Sequence, residues 1–267
     1  MSTTGNTTAL ITGASSGIGA IYADRLAKRG HDLILVARNA GRLGALARRL
    51  TAETGRTVTP LAADLTDKDN LREVEEVLRT DPRIGVLVNN AGFGSAAPLL
   101  QADVDAMQSM IDVNVTALTR LTYAAVPGFV ARGGGTVINI SSIVAVAPEL
   151  LNGVYGGSKA FVLAFSQQLR HELEAKGIRV QAVLPGPTST EFWDIAGAPI
   201  VALPQQIQQR MMRAEDLVDA ALAGFDQGEV VTIPALPEIK DWDAVETARR
   251  ALAPNLSNAA PAARYGL

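Results

Sequence analysis

Tyr155 and Lys159, four residues apart, fall on one face of any helix that contains both. A free phenol keeps its proton up to about pH 10, which makes it a poor proton shuttle at neutrality. A fixed ammonium beside it favours the phenolate and brings the pKa toward the working range, and lysine supplies that charge on a long stem. Taken alone, the pair also fits an exposed lysine beside a half-buried tyrosine. Ser142 stands thirteen positions before Tyr155, far enough for a loop to return the chain beside the phenol. Its hydroxyl there could orient a carbonyl oxygen toward the Tyr155 proton. Asn114 lies in an otherwise apolar helical stretch with Ile111, Val113, Val115 and Leu118. An amide in that setting needs a partner: it either holds a water against Lys159 or is simply a structural buried amide.

A second constellation lies near the start of the chain. Ala9-Leu10-Ile11-Thr12 reads as a buried strand and runs into Gly13-Ala14-Ser15-Ser16-Gly17-Ile18-Gly19. In a doubly wound sheet this first turn receives a dinucleotide pyrophosphate, held by backbone N–H groups and the N-terminus of the next helix. The spacing is G-x-x-x-G-x-G rather than the general G-x-G-x-x-G, and a glycine-rich turn without ligand is the alternative. An acid at the end of the second strand would bond the adenosine ribose 2′-hydroxyl. Arg38 stands there instead, and no Asp or Glu lies between it and Glu53. A guanidinium suits a 2′-phosphate, so NADP(H) is expected, with NAD(H) the alternative. Asp64, ending the third strand, could accept from an adenine amino group or cap the next helix with Thr66 and Asp67. Asn89-Asn90-Ala91-Gly92 ends the fourth strand and could pass the adenine-side ribose or form a plain turn.

The elements that must position these residues alternate. Apolar runs at 9–12, 33–37, 58–62, 86–88, 136–140, 178–184 and 230–233 read as strands, with helical patterns between them. A long helical stretch is expected over 104–130, kinked or ended by Pro127. The helix carrying Tyr155 and Lys159 should close near Gly177, a C-cap. Strands bare of polar residues alternating with helices imply an α/β fold: a doubly wound, seven-stranded parallel sheet with helices on both faces. One domain over 1–267 is expected, its core at about 6–235, followed by a C-terminal helix and an irregular Ala/Asn/Pro-rich tail.

Composition narrows the function. With 48% hydrophobic and 19% charged residues the chain can bury a large core. A net charge of −3 and no basic tract argue against a nucleic-acid surface. Cysteine is absent, excluding disulfides and thiolate chemistry, and two histidines, His31 and His171, do not suggest a metal site. No charged segment precedes the apolar start and no apolar run reaches about 18 residues, so neither a secretory signal nor a membrane span is expected. A cytoplasmic location follows as the default.

Taken in order, Thr12-Gly13-x-x-x-Gly17-x-Gly19, Asn89-Asn90-Ala91-Gly92, Ser142, Tyr155-x-x-x-Lys159 and Pro185-Gly186-Pro187-Thr188-Ser189-Thr190 resemble the short-chain dehydrogenase/reductase family. The resemblance covers roughly residues 6–235. It implies a Rossmann sheet, an NAD(P) cofactor and reversible carbonyl–alcohol interconversion. By matching position it implies Tyr155 as general acid/base, Ser142 as the substrate-orienting hydroxyl, and Lys159 as the group that binds the nicotinamide ribose and lowers the Tyr155 pKa. Asn114 would anchor a proton-relay water. The cofactor would lie along Gly13, Ser15, Ser16, Gly17, Ile18 and Gly19, then Arg38, Asp64 and Leu65, then Asn90, Ala91 and Gly92. Pro185, Gly186, Thr188 and Thr190 would hold its nicotinamide end. Arg38 resembles the NADP-preferring branch, but many of those relatives carry a second base in the glycine loop, where this chain has Ser15 and Ser16. Gly156-Gly157 inside the catalytic motif is unusual, since a helical glycine costs about 1 kcal/mol relative to alanine. The resemblance also implies pairing with a second subunit, hence a homodimer or homotetramer.

The substrate lining should come from Phe93-Gly94-Ser95, the loop 143–152 and the insertion 191–212. Their residues Phe93, Val144, Val146, Leu151, Phe192, Trp193, Ile195, Met211 and Met212 are mostly apolar. A mid-sized hydrophobic ketone, aldehyde or quinone is expected as substrate, reduced by NADPH. No Arg or Lys lies between Ser141 and Lys159, which argues against acid or phosphate groups on it. An NAD-dependent alcohol dehydrogenase is an alternative. A nucleotide-sugar epimerase would need a larger C-terminal domain, and a non-catalytic dinucleotide sensor would have no use for Ser142, Tyr155 and Lys159 together.

Overall fold

Residues 7–266 are described by the computed structural model. The apolar runs form β1 (Thr8–Thr12), β2 (Asp32–Ala37), β3 (Val58–Ala62), β4 (Ile84–Asn89), β5 (Gly135–Ile140) and β6 (Ile178–Val183). The short pair β7 (Thr188–Ser189) and β8 (Met212–Arg213) stands apart, and β9 (Val231–Thr232) completes the main sheet. The helices are α1 (Gly17–Lys28), α2 (Ala40–Thr54), α3 (Lys68–Thr80), α4 (Val104–Ile111), α5 (Leu118–Ala131) and α6 (Gly153–Leu173). They continue with α7 (Phe192–Ile195), α8 (Gln205–Gln208), α9 (Ala214–Gln227) and α10 (Ile239–Ala251).

The main sheet is seven-stranded and parallel, in the order β3-β2-β1-β4-β5-β6-β9. The doubly wound α/β expectation is met. Alternate residues of each strand feed opposite cores, because successive side chains leave a strand on opposite faces. Ala9, Ile11, Leu33 and Leu35 pack with Tyr22 and Leu26 of α1 and Leu217 of α9. Leu10, Ile34, Val36 and Leu87 pack with Leu78 of α3, Phe129 of α5 and Leu169 of α6. Winding reverses between β1 and β4, the place where such sheets open a crevice beyond the strand C-termini.

Two helical expectations change. Pro127 neither ends the long helix nor marks its break: α5 runs on to Ala131. Pro127 and Tyr123, whose carbonyl loses its donor, both lie on the exposed side of the helix. The irregularity lies earlier, in a π-helical segment over Asp112–Ala117 that joins α4 to α5 and carries Asn114. Gly177 behaves as expected, closing α6 and the short turn after it at φ 79°.

By contact density the chain divides into Met1–Pro234 and Ala235–Leu267. The second unit holds α10, followed by single helical turns at Ala253–Asn255 and Ala263–Tyr265. Among the described residues no helix is long and apolar enough to cross a membrane, and no cluster of metal-ligating side chains occurs.

Candidate active site

Two polar anchors fix the helix that bears Tyr155. Asn152 caps α6, accepting from Val154 N at 2.8 Å, while its Nδ2 donates to Ala97 O at 2.7 Å. Ser141, at the end of β5, donates from Oγ to Lys159 O at 2.7 Å. Between these ties Tyr155 is 6% exposed and Lys159 5% exposed. Lys159 Nζ donates to Ile140 O at 2.9 Å and lies 5.8 Å from the centre of the Tyr155 ring. Ser142 is buried beside the phenol, its Oγ 3.4 Å from Pro185 O.

The expected lowering of the Tyr155 pKa by Lys159 is not what this geometry gives. Burial pushes the phenol up to about 12, with the Ser142 hydroxyl pulling the other way. Burial also lowers the Lys159 ammonium to about 8. Each shift favours the neutral form, as desolvation must.

Asn114 is buried, and its amide is engaged by protein groups. Oδ1 accepts from Phe93 N at 3.1 Å, and Nδ2 donates to Phe93 O at 2.9 Å and to Ser158 Oγ at 3.0 Å. Ser158 Oγ in turn donates to Tyr155 O at 2.8 Å. The amide therefore ties the segment after β4 to the first turn of α6. Gly92 lies between the two, where a Cβ would stand 2.8 Å from Asn114 Oδ1 and 3.4 Å from Lys159 Nζ.

These groups open onto a cleft of about 510 Å³ that also holds the glycine loop. Gly13, Ser16, Gly17, Ile18, Asn90, Ala91 and Gly92 line one end, and Ser142, Tyr155, Lys159, Pro185, Gly186, Thr188 and Thr190 continue the wall. Gly13 and Gly17 take φ of 65° and 53°, the left-handed region that glycine enters without strain. A Cβ on Gly13 would stand 2.8 Å from Asn90 Nδ2, and one on Gly17 would stand 3.3 Å from Thr190 Cγ2. Asn90 Nδ2 donates to Thr12 O at 2.9 Å and Gly13 O at 3.2 Å, pinning the loop from the neighbouring strand. Ser16 starts α1 without a side-chain cap bond, and the first turn carries no acid. A helix N-terminus with open N–H groups, preceded by a loop whose glycines add no side chain at Gly13 and Gly17, fits a pyrophosphate.

Several expected site residues do not reach this wall. Ser15 and Gly19 fall outside it, Gly19 lying behind the loop where a Cβ would meet Gly13 O at 2.4 Å. Leu65 is buried in the core under α3. Arg38 is exposed at the end of β2. Asp64 Oδ1 accepts from the Thr66 N–H and hydroxyl at 2.9 and 2.8 Å, whereas Asp67 caps α3. Burial alone would raise the Asp64 pKa, but those two bonds and the charge of Arg38 outweigh it and lower it. Asn89 is buried away from the cleft, donating to Thr122 and Asn139.

At the substrate end, Val144, Leu151, Trp193, Phe192 and Ile195 line the cleft. Phe93 does not; its ring packs into the cluster of Met110, Val144 and Tyr155. Val146 is exposed, and Met211 and Met212 also miss the wall. The Phe192 ring lies 5.6 Å from that of Tyr155. It lies over Gly94, where a Cβ would come within 2.6 Å of Phe192 Cζ. Leu150, Glu191, Leu203, Ile207 and Arg210 also line it. Arg210 is a cation that the sequence reading, confined to 141–159, passed over.

The cleft therefore joins a dinucleotide cradle to a buried hydroxyl–phenol–ammonium group under an apolar lid. The family model for short chain dehydrogenase matches residues 7–198. The chain belongs to the short-chain dehydrogenase family. Over 187 residues it is 42% identical to serine 3-dehydrogenase of Agrobacterium fabrum, covering 69% of this chain and 73% of that one. A short-chain dehydrogenase from Sphingobium yanoikuyae, solved in complex with NADPH, superposes with a TM-score of 0.92 at 50% identity, covering 96% of this chain and 98% of that one. The bulky-bulky ketone specific alcohol dehydrogenase from Comamonas testosteroni gives 0.88 at 45% identity, covering 98% and 99%. This short-chain dehydrogenase is thus an NAD(P)(H)-dependent oxidoreductase acting on CH–OH groups or the matching carbonyls.

Proposed function

We propose that this enzyme reduces a bulky, mostly apolar ketone, aldehyde or quinone with NADPH. The observation that carries the reading is that Ser142, Tyr155 and Lys159 meet on the same cleft as the glycine loop. Bound NADPH supplies the hydride. Ser142 donates to the carbonyl oxygen and holds it toward Tyr155. As negative charge grows on that oxygen, the Tyr155 O–H gives up its proton to it, and Lys159 would bind the nicotinamide ribose hydroxyls beside it. A phenol with a pKa near 12 is fully protonated at neutrality, which suits an acid working in the reductive direction. Asn114, fixed to Ser158 and Phe93, keeps the first turn of the helix aligned, and a relay water anchored there is part of the proposal. Pro185, Gly186, Thr188 and Thr190 would hold the nicotinamide end. Arg38, placed at the end of β2, supports NADP(H) over NAD(H).

Likeness to a bulky-ketone enzyme along nearly its whole length supports large apolar substrates. Arg210 on the cleft wall favours a second reading, in which one end of the ketone carries a carboxylate. We further propose a cytoplasmic homodimer or homotetramer in which all 267 residues serve one dinucleotide-binding domain.

The test is a carbonyl panel, neutral and carboxylated members paired, followed by NADPH absorbance. Wild type should turn over bulky ketones, and Tyr155→Phe should lose about a thousandfold or more in kcat with NADPH binding intact. Oxidation of alcohols with NAD far outpacing ketone reduction, or no turnover with any carbonyl, would refute the reductase reading.

A further inference from the structure

One flank of the cleft beside Tyr155 is closed by a single side chain. Phe192 opens α7, and three neighbours hold its ring. Its centroid lies 5.6 Å from that of Tyr155 and 5.6 Å from that of Trp193, tilted by 45° to the first and edge-on to the second, both favourable aromatic geometries. Its far edge rests on Gly94, where an added Cβ would stand 2.6 Å from Phe192 Cζ, 3.1 Å from Phe192 Cε2 and 3.2 Å from Tyr155 Cδ2. Gly94 takes no left-handed φ, so space rather than backbone freedom calls for glycine there.

The short helix that carries the ring is tied at both ends. Trp193 is buried and donates from Nε1 to Thr188 O at 2.9 Å. Ala196 O accepts from Ala96 N at 3.0 Å, and Ala97 O accepts from Asn152, the cap of α6. A ring braced in this way acts as a wall of fixed shape, and close-packed surroundings leave it little room to yield. The reductase mechanism gives Phe192 no task. Of the remaining apolar lining, Leu203 and Ile207 stand outside the cluster packed around Tyr155. The cleft is therefore unequal about the phenol.

We propose that Phe192 is a specificity-determining residue: its ring, seated on Gly94, sets the largest substituent that a ketone can place on that flank of Tyr155. The other substituent takes the apolar wall that includes Leu203 and Ile207. The inference rests on the reductase reading of the cleft and deepens it, since it assigns the two sides of the carbonyl different limits of size.

The experiment follows NADPH absorbance with acetophenone, butyrophenone and benzophenone on the full chain, with circular dichroism melts as a folding control. Phe192→Ala should raise the ratio of kcat/KM for benzophenone to that for acetophenone about tenfold or more, the scale on which a pocket discriminates by size. Phe192→Leu, which keeps an apolar side chain on Trp193, should raise it less and serves if the alanine variant does not fold. A Cβ at Gly94 meets the far end of the ring, so Gly94→Ala should cut kcat/KM for acetophenone about tenfold. With Phe192 already alanine the same change should cost about threefold or less, because the two residues share that contact. An unchanged ratio in the Phe192 variants, or an equal loss with every ketone, would overturn the assignment. Equal losses by Gly94→Ala in both backgrounds would also overturn it, since the ring would then not rest on Gly94. If wild type turned over no ketone with NADPH, the reductase reading itself would fall, and this inference with it.

Discussion

Burial moves the Tyr155 and Lys159 pKa values apart, the phenol up to about 12 and the ammonium down to about 8. The spacing of the two residues gave the right face but the wrong sign for the phenol, because spacing carries no information about desolvation. Lys159 directs its ammonium at Ile140 O, and the cost of burying it appears in its own titration. An unfolded lysine titrates near 10.4, so between about pH 8 and 10.4 the unfolded chain binds more protons than the folded one. The lysine's contribution therefore raises stability as pH rises through that window. Tyr155 acts oppositely: its contribution is complete below about pH 10 and is lost as pH climbs toward 12. Urea denaturation from pH 7.5 to 9.5 should show wild type gaining relative to Lys159→Met, by up to about 1.4 kcal/mol per pH unit. Parallel profiles would mean that Lys159 is not desolvated in the fold.

On the scale of elements, the two glycines of the catalytic motif separate into different cases. Gly156 packs against the turn before α6, where a Cβ would lie 3.3 Å from Pro148 Cβ. Gly157 is exposed, with nothing within 4 Å of the corresponding position. Close packing therefore explains the first, and the structure does not explain the second. Gly157→Ala should raise unfolding free energy by about 0.5–1 kcal/mol with kcat unchanged, since it only removes the helix penalty of glycine. A loss of stability in chemical denaturation would indicate that Gly157 meets a neighbour. The π-helical segment shows the limit of pattern reading. An asparagine amid apolar residues was legible as a buried polar group, but the widened turn that lets Asn114 reach both Phe93 and Ser158 was not.

For the whole molecule, the winding order brings the ends of β1, β4, β5 and β6 to one crevice, which is why motifs spread from Gly13 to Thr190 share a cleft. Of the apolar residues on the long helices, Met110, Leu121 and Leu169 are core. Tyr123 is 70% and Phe161 38% exposed, and both rings stack on Phe165. This unpaired aromatic strip is the expected seat of a second subunit. Light scattering at micromolar concentration should give a dimer or tetramer for wild type and a smaller species for Phe161→Asp; a wild-type monomer would refute the assembly.

The sequence by itself determined the alternation of strands and helices, the glycine loop, and the Tyr155–Lys159 face, because each is encoded within a few consecutive residues. Only the tertiary structure decided that Leu65 turns into the core, that Phe93 packs half-buried against Met110, Val144 and Tyr155, that Arg210 reaches the cleft, and that Arg42 meets Glu191 and Ser16 on its rim. Those outcomes depend on distances between residues far apart in the chain and on how completely water is excluded from them, and neither quantity is written in local spacing.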